Sequence, residues 1–149
     1  MVEFHCLHDY ILEHSENIDE IKSNYLELMQ DLTHAPDVST YMFTSTIENI
    51  HKMGRIIIGI SDNLIVCSGT IIIEPKIIHG CKAAGHIEDI VVMQSWRGKD
   101  LGQTLIDNLS TYGFNNDCYK IILDCNDNLE VFYNKSGFSK KGLQMSLYK

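Results

Sequence analysis

Arginine is nearly missing from this chain of 149 residues, which carries only Arg55 and Arg97 and a formal net charge of −8. That balance argues against nucleic acid as a partner, because phosphate backbones are held by clustered lysine and arginine. No CxxC pair occurs among the five cysteines; an odd, unpatterned set fits a reducing compartment better than a disulfide framework. No apolar run approaches the ~18 residues that a membrane span requires. The opening residues MVEFHCLHDY lack the charged and then apolar order of a secretion signal. Neither GxxxxGK[ST] nor GxGxxG spacing is present, which disfavours P-loop and dinucleotide folds. The chain is therefore read as intracellular and cytoplasmic, with small molecules as partners, no nucleic acid and no membrane. The seven histidines show no metal-ligand spacing around His79 or His86, so no metal is expected.

What is present alternates between strand and helix patterns. Glu3 to His8 reads as a first strand. Ile18 to Leu32 reads as a helix with the stripe Ile18, Ile21, Tyr25, Leu28, Met29 and Leu32, capped by Asn17 and Glu20. Pro36 breaks the chain; Ser39 then caps a second helix carrying Phe43, Ile47 and Ile50, which Gly54 is expected to close. Arg55 to Ile60 and Leu64 to Glu74 form a hairpin around Ser61, Asp62 and Asn63, and Pro75 ends it. Residues 76–84 read as a loop. Tyr119 to Asp124 is a short strand, the helix from about Leu129 to Lys135 stops at Gly137, and Phe138 to Tyr148 is a final extended segment with an unpaired edge. Such an order, within a length suited to one domain over residues 1–149, implies an α/β (α+β) fold with one mixed sheet flanked by helices on both faces. Ligands of such sheets bind at the carboxyl ends of strands.

The working centre is placed in GHIEDIVVMQSWRGKDLGQ, Gly85 to Gln103. Ile87, Ile90, Val91 and Val92 form an apolar strand, and Gly98 and Gly102 bracket a turn into a helix. At that junction several N–H groups lack intrahelical partners and point along the positive end of the helix dipole, a receptor for phosphate. Over a Debye length of ~8 Å, Arg97, Lys99 and oriented amides can hold a pyrophosphate on an acidic protein. Glu88 and Asp89 interrupt the strand. On a regular strand they point to opposite faces, so one site can use both only if the chain bulges near Asp89 and Ile90.

These residues carry a resemblance. RGKDLG, Arg97 to Gly102, is similar to the acetyl-CoA motif of the acyl-CoA N-acyltransferase (GNAT) superfamily. IIIEPKIIHGC, GHIEDIVV and CYKIILDCNDNLEVFYNKSGF, with LTHAPDVS near the helix break, resemble its glucosamine 6-phosphate N-acetyltransferase family over nearly the whole chain. The resemblance implies a GNAT fold, mostly antiparallel in its sheet, and a homodimer with shared active sites. It also implies direct transfer of acetyl from acetyl-CoA to the amine of glucosamine 6-phosphate, a step in amino-sugar and UDP-N-acetylglucosamine biosynthesis. Residue by residue, it assigns Tyr133 to the CoA sulfur and Asp124 to orienting the amine. Glu88, or a water in its place, takes the amine proton. The amides of Ile90, Val91 and Val92 align the pantetheine. Arg97, Gly98, Lys99, Asp100, Leu101, Gly102 and Gln103 form the pyrophosphate loop. Glu88, Asp89, Ile90 and Asp124 contact the sugar. Thr33, Lys76, Ile77, Ile78, His79, Tyr119 and Lys120 hold its phosphate, some of them across a dimer interface.

The pattern alone leaves plainer readings open. Gly102 also suits close helix packing, Tyr133 beside Phe132 also reads as a core-edge tyrosine, and Asp124 also reads as an acid at a helix start. Cys125 is expected to be a buried structural cysteine. Three residues depart from the family pattern: Asp100 stands for a glycine or, in some members, a glutamine, Leu129 for an asparagine, and Tyr148 for an arginine that binds phosphate in some members. An acetyltransferase for another small amine and a non-catalytic acyl-CoA-binding module are the alternatives these departures keep open.

Overall fold

The computed structural model describes residues 1–149. Five strands lie in the order β1 (Glu3–Cys6), β2 (Gly54–Ser61), β3 (Leu64–Glu74), β4 (Ala83–Val92) and β5 (Cys118–Ile122). The first four pair antiparallel and β5 joins β4 in parallel. The expected hairpin is present: Asp62 and Asn63 both take positive φ, at 49° and 63°, which short polar side chains tolerate and tight hairpins require.

Alternation along the strands distributes the core. Ile56, Ile58 and Ile60 of β2 face α1 (Leu7–Glu13), α2 (Ile18–Gln30) and α3 (Thr40–His51), joining Leu7, Ile11, Leu28, Phe43 and Ile47 in one cluster. On the other face α5 (Leu101–Asn115) lays Leu105 and Leu109 on Cys67, Ile71 and Ile87. Each fully buried leucine or isoleucine contributes about 1.5–3 kcal/mol relative to exposure. Helices thus cover both faces, and none is long and apolar enough to cross a membrane.

Several local expectations are corrected. The first strand stops at Cys6, and Leu7 opens α1, because Leu7 and Ile11 recur at helical spacing and both are buried. Asn17 and Glu20 form no capping box; residues 15–17 already make a tight turn into α2, and Asn17 Nδ2 donates to Glu16 instead. Helix α2 ends at Gln30, short of Leu32. Ser39 does cap α3, accepting from the Met42 amide at 3.1 Å. Gly54 does not close that helix: it begins β2, where a Cβ would lie 1.9 Å from the Ile71 carbonyl oxygen. Residues 76–84 hold a helical turn, α4 (Ile78–Cys81), with His79 and Gly80 in the left-handed region. Gly102 lies inside α5, not in the turn before it. Gly137, at φ 87°, follows the short α6 (Glu130–Asn134) as expected. Phe138 to Tyr148 pairs with no strand of its own chain, and Leu143, Met145 and Leu147 are at least 88% exposed.

Candidate active site

The bulge lies where the sequence requires it. Thr70 faces Glu88 and Ser68 faces Val91, so Gly69 of β3 stands opposite both Asp89 and Ile90. Asp89 takes φ 54°, a conformation most side chains avoid and aspartate tolerates. The extra residue reverses the alternation: Ile87 and Ile90 both pack under α5, while Val91 packs on the other face. Gly69 has no Cβ because Ile90 Cδ1 would lie 2.4 Å from it. The bulge thus turns the Glu88–Ile90 backbone without unburying the strand.

Beyond the bulge, β4 loses its neighbour. Pairing with β5 ends at His86 and Ile122, leaving the β4 edge from Ile87 onward with unpaired main-chain groups on that side. Asp124 follows the end of β5 and is exposed; it lies ahead of Asn126 and the turn at Asp127–Leu129, and is not a helix-start acid. Its charge reaches Glu88. The Glu88 carboxyl is raised above the usual carboxylate range, first by partial withdrawal from water, then by Asp89, then by Asp124. Sequence reading missed Tyr25 of α2, whose hydroxyl lies 3.4 Å from Ser68 Oγ. Burial, with Asp89 as a lesser contributor, pushes this phenol up to about 12. Its place in an apolar stripe gave no sign of a polar neighbour.

Tyr133 is buried on α6, edge-on to Phe132 at 4.9 Å. Burial raises its pKa and keeps the hydroxyl protonated. Helix α6 is tied to α5 through Gln103, whose Nε2 donates to the Phe132 carbonyl at 2.9 Å and whose Oε1 accepts from Ser136 at 2.5 Å. The Gln103 side chain is therefore committed to positioning Tyr133. Gly102 serves the same junction, since a Cβ there would lie 2.8 Å from the Phe132 ring. A cavity of ≈ 680 Å³ joins Lys120, Asp124 and Tyr133 with the C-terminal segment. Cys125 lines it and is exposed, contrary to the buried placement expected.

Between β4 and α5 the chain turns through Gly98 at φ 76° and Asp100 at φ 58°. None of the amides from Gly98 to Gln103 has a hydrogen-bond acceptor in the protein; the first bond of the helix runs from Thr104 to the Asp100 carbonyl. Six free donors at a helix start suit a pyrophosphate. Lys99 lies over Trp96 at 4.2 Å, and Arg97 Nε donates to the Val92 carbonyl at 3.1 Å. The Asp100 side chain is exposed and makes no cap.

The residues expected to hold the sugar phosphate fall into two groups. His79 stacks on Tyr119 at 4.1 Å, and Lys120 Nζ lies 5.4 Å from the same ring. Ile77 and Ile78 are exposed beside His79. Lys76 is bound to Glu74 at 2.6 Å, and His86 holds the other Glu74 oxygen. Lys76 foremost, then His86, holds the Glu74 carboxyl below its ordinary range. His86 was weighed in the sequence only as a metal ligand, and its pairing with Glu74 was not legible there, since that depends on register across β3 and β4. Thr33, just past α2, makes no side-chain hydrogen bond; Asp31, two residues before it, accepts from the Gln94 amide at 2.9 Å.

A bulged central strand, two strands that part beyond it, and a turn of free amides leading into a helix define an acyl-CoA-type transferase fold. The chain belongs to the acetyltransferase (GNAT) family, whose model matches residues 18–138. Among curated proteins it is 38% identical over 137 residues to glucosamine 6-phosphate N-acetyltransferase 1 of Dictyostelium discoideum, covering 89% of this chain and 87% of that one. It is 37% identical over 136 residues to glucosamine 6-phosphate N-acetyltransferase of Arabidopsis thaliana, covering 88% and 91%. Among solved structures, that of glucosamine-6-phosphate N-acetyltransferase from Arabidopsis thaliana superposes with a TM-score of 0.88 at 32% identity, covering 99% of this chain and 98% of that one.

Proposed function

We propose that this chain, acting as one GNAT domain over residues 1–149, transfers acetyl from acetyl-CoA to the amine of glucosamine 6-phosphate. The observation that carries the reading is the bulge at Asp89 and Ile90, with the open β4 edge beside it and Asp124 opposite. The names of the most similar relatives supply the substrate. The pyrophosphate of CoA lies on the amides of Gly98 to Gln103, and the pantetheine runs along the open edge of β4 as though it were another strand.

The amine attacks the thioester carbon, the carbon–sulfur bond breaks, and sulfur leaves with the electron pair. The amides at Ile90 to Val92 stabilise the developing oxyanion; removing one such donor typically costs about 2.7–4 kcal/mol. Glu88 accepts the amine proton, directly or through water, and its raised pKa brings it closer to that task. Asp124 orients the amine. Tyr133, kept protonated by burial, gives its proton to the thiolate. His79, Tyr119 and Lys120 face the sugar phosphate, while Lys76 contributes only as its pairing with Glu74 relaxes. The exposed leucines and methionine of the C-terminal segment, and the unpaired outer edge of β5, support a homodimer that covers them.

A second reading, an acetyltransferase for another small amine, draws on the Lys76–Glu74 ion pair and on Tyr148 standing where an arginine would bind phosphate. Free-thiol release from acetyl-CoA separates the two. Turnover with glucosamine 6-phosphate, and at least about tenfold less with glucosamine or a polyamine at equal concentration, supports the first. Equal turnover of glucosamine, or turnover of the polyamine alone, overturns it.

A further inference from the structure

At the far edge of the sheet, with β2 and β3 between it and the bulge, three side chains with metal-binding atoms converge. Cys6 ends β1, Asp9 lies in the first turn of α1, and His51 lies in the last turn of α3. Cys6 Sγ lies 3.8 Å from His51 Nδ1, and the ligand atoms of Cys6, Asp9 and His51 all lie within 4.8 Å of one another. A fourth candidate is adjacent: the His8 ring stacks on His51 at 3.8 Å, and His8 Nδ1 lies 3.1 Å from Asp9 Oδ1.

We propose that Cys6, Asp9 and His51, completed by His8 or water, bind a divalent transition ion of the zinc class that clasps β1 and α1 to α3. A tetrahedral ion with bonds of ~2.0–2.3 Å spaces its ligand atoms roughly 3.3–3.8 Å apart. Cys6 and His51 already stand at that separation, and Asp9, exposed at the surface with its ligand atom within 4.8 Å of the other two, closes the set by a side-chain rotation. One thiolate, one carboxylate and neutral imidazole balance a dication and are the donors that zinc selects over magnesium or calcium. Arg55 is the nearby charge of the wrong sign. Its guanidinium donates to the carbonyls of His51 and Gly54, at 3.2 and 2.8 Å, and lies over the Tyr112 ring at 4.9 Å, so its charge is one that the thiolate and the Asp9 carboxylate offset.

The two ligands differ in protonation: His51 stands ready to bind, and the Cys6 thiol must first lose its proton. Burial, then Arg55 and His8, lowers the His51 pKa, so the imidazole is in its ligand form. Burial foremost raises the Cys6 thiol; the Asp9 amide lowers it, the Asp9 charge raises it by less, and the His8 amide and Arg55 lower it further. The ion takes the place of the thiol proton, so binding releases that proton and strengthens as pH rises. Sequence spacing hid the site because its ligands come from two segments about one helix pair apart.

The test is a cobalt titration of the purified, chelator-treated full-length protein under reducing conditions. One equivalent per chain, with a thiolate-to-cobalt charge-transfer band that zinc abolishes, is expected; so is a higher melting temperature with zinc. Cys6→Ser removes the band and the zinc-dependent shift, His51→Asn weakens cobalt binding at least tenfold, and Cys81→Ser leaves both intact. Circular dichroism of Cys6→Ser and His51→Asn establishes that each is folded; where one is not, the other carries the comparison. No charge-transfer band in the wild type, or a band that survives Cys6→Ser and His51→Asn, overturns the proposal.

Discussion

Replacing Gly69 by alanine would put a methyl group where Ile90 Cδ1 already lies, 2.4 Å from the new Cβ, with Leu109 Cδ1 at 2.9 Å and Leu105 Cδ2 at 3.2 Å. Overfilling a packed core costs about 1–3 kcal/mol, while removing a glycine from a strand interior returns roughly 0.5–1 kcal/mol. The net loss is about 0–2.5 kcal/mol, or a melting temperature lower by up to about 10 °C in a protein of this size. Ile90→Val alone costs about 0.5–1.5 kcal/mol by losing a buried methyl. Together the two changes compensate, because valine has no Cδ1 to strike the new Cβ. Urea unfolding of the wild type, both single variants and Gly69→Ala/Ile90→Val reads the coupling directly, and the double variant is expected to be more stable than the sum of the singles by at least about 0.5 kcal/mol. Activity adds a second readout: Gly69→Ala displaces the bulge and lowers kcat, and the valine restores part of it. Strict additivity, with kcat unchanged in Gly69→Ala, would refute the account of why glycine stands opposite the bulge.

Asp100→Gly removes a charge beside the free amides and relieves a left-handed aspartate. A repulsion of about 1 kcal/mol at ~4 Å in water corresponds to acetyl-CoA binding about fivefold tighter by calorimetry, and unchanged or weaker binding would place the Asp100 charge away from the cofactor. Tyr133→Phe is expected to lower kcat by about 10²-fold or more with the KM for acetyl-CoA within about threefold; an undiminished kcat would leave Tyr133 a packing residue. The pH profile follows Glu88, whose ionised form accepts the proton, so the rate falls as pH drops through its raised pKa. Asp89→Asn removes a neighbouring negative charge and moves the acid limb to lower pH, and Asp124→Asn does so to a smaller degree; carbon NMR of the Glu88 carboxyl tracks the shift where activity is too low. Movement to higher pH in either variant would rule out the repulsion. In folding, the same raised pKa gives stability present below the unfolded value and lost as pH rises through the folded one.

The sequence by itself determined whatever rests on neighbours in the chain. The isoleucine alternation of β2, the stripe of α2, the Asp62–Asn63 turn and the Ser39 cap are each set within a few residues, by side-chain period or by one hydrogen bond. Even the bulge was legible, because two carboxylates inside an apolar strand cannot share one side of a regular one. The run from Arg97 to Gln103 likewise announced a helix start with free amides. Tertiary structure decided what depends on register and on meetings between distant segments. Leu7 became helical because α1 can bury it against α3 and β2, a gain no local propensity displays. Glu74 captured Lys76 and His86 only because β3 and β4 pair as they do. Gln103 was drawn to α6 and away from the turn that opens α5, and Cys6, Asp9 and His51 met from β1, α1 and α3. A side chain's partner is chosen in space, and 45 residues of chain separate Cys6 from His51.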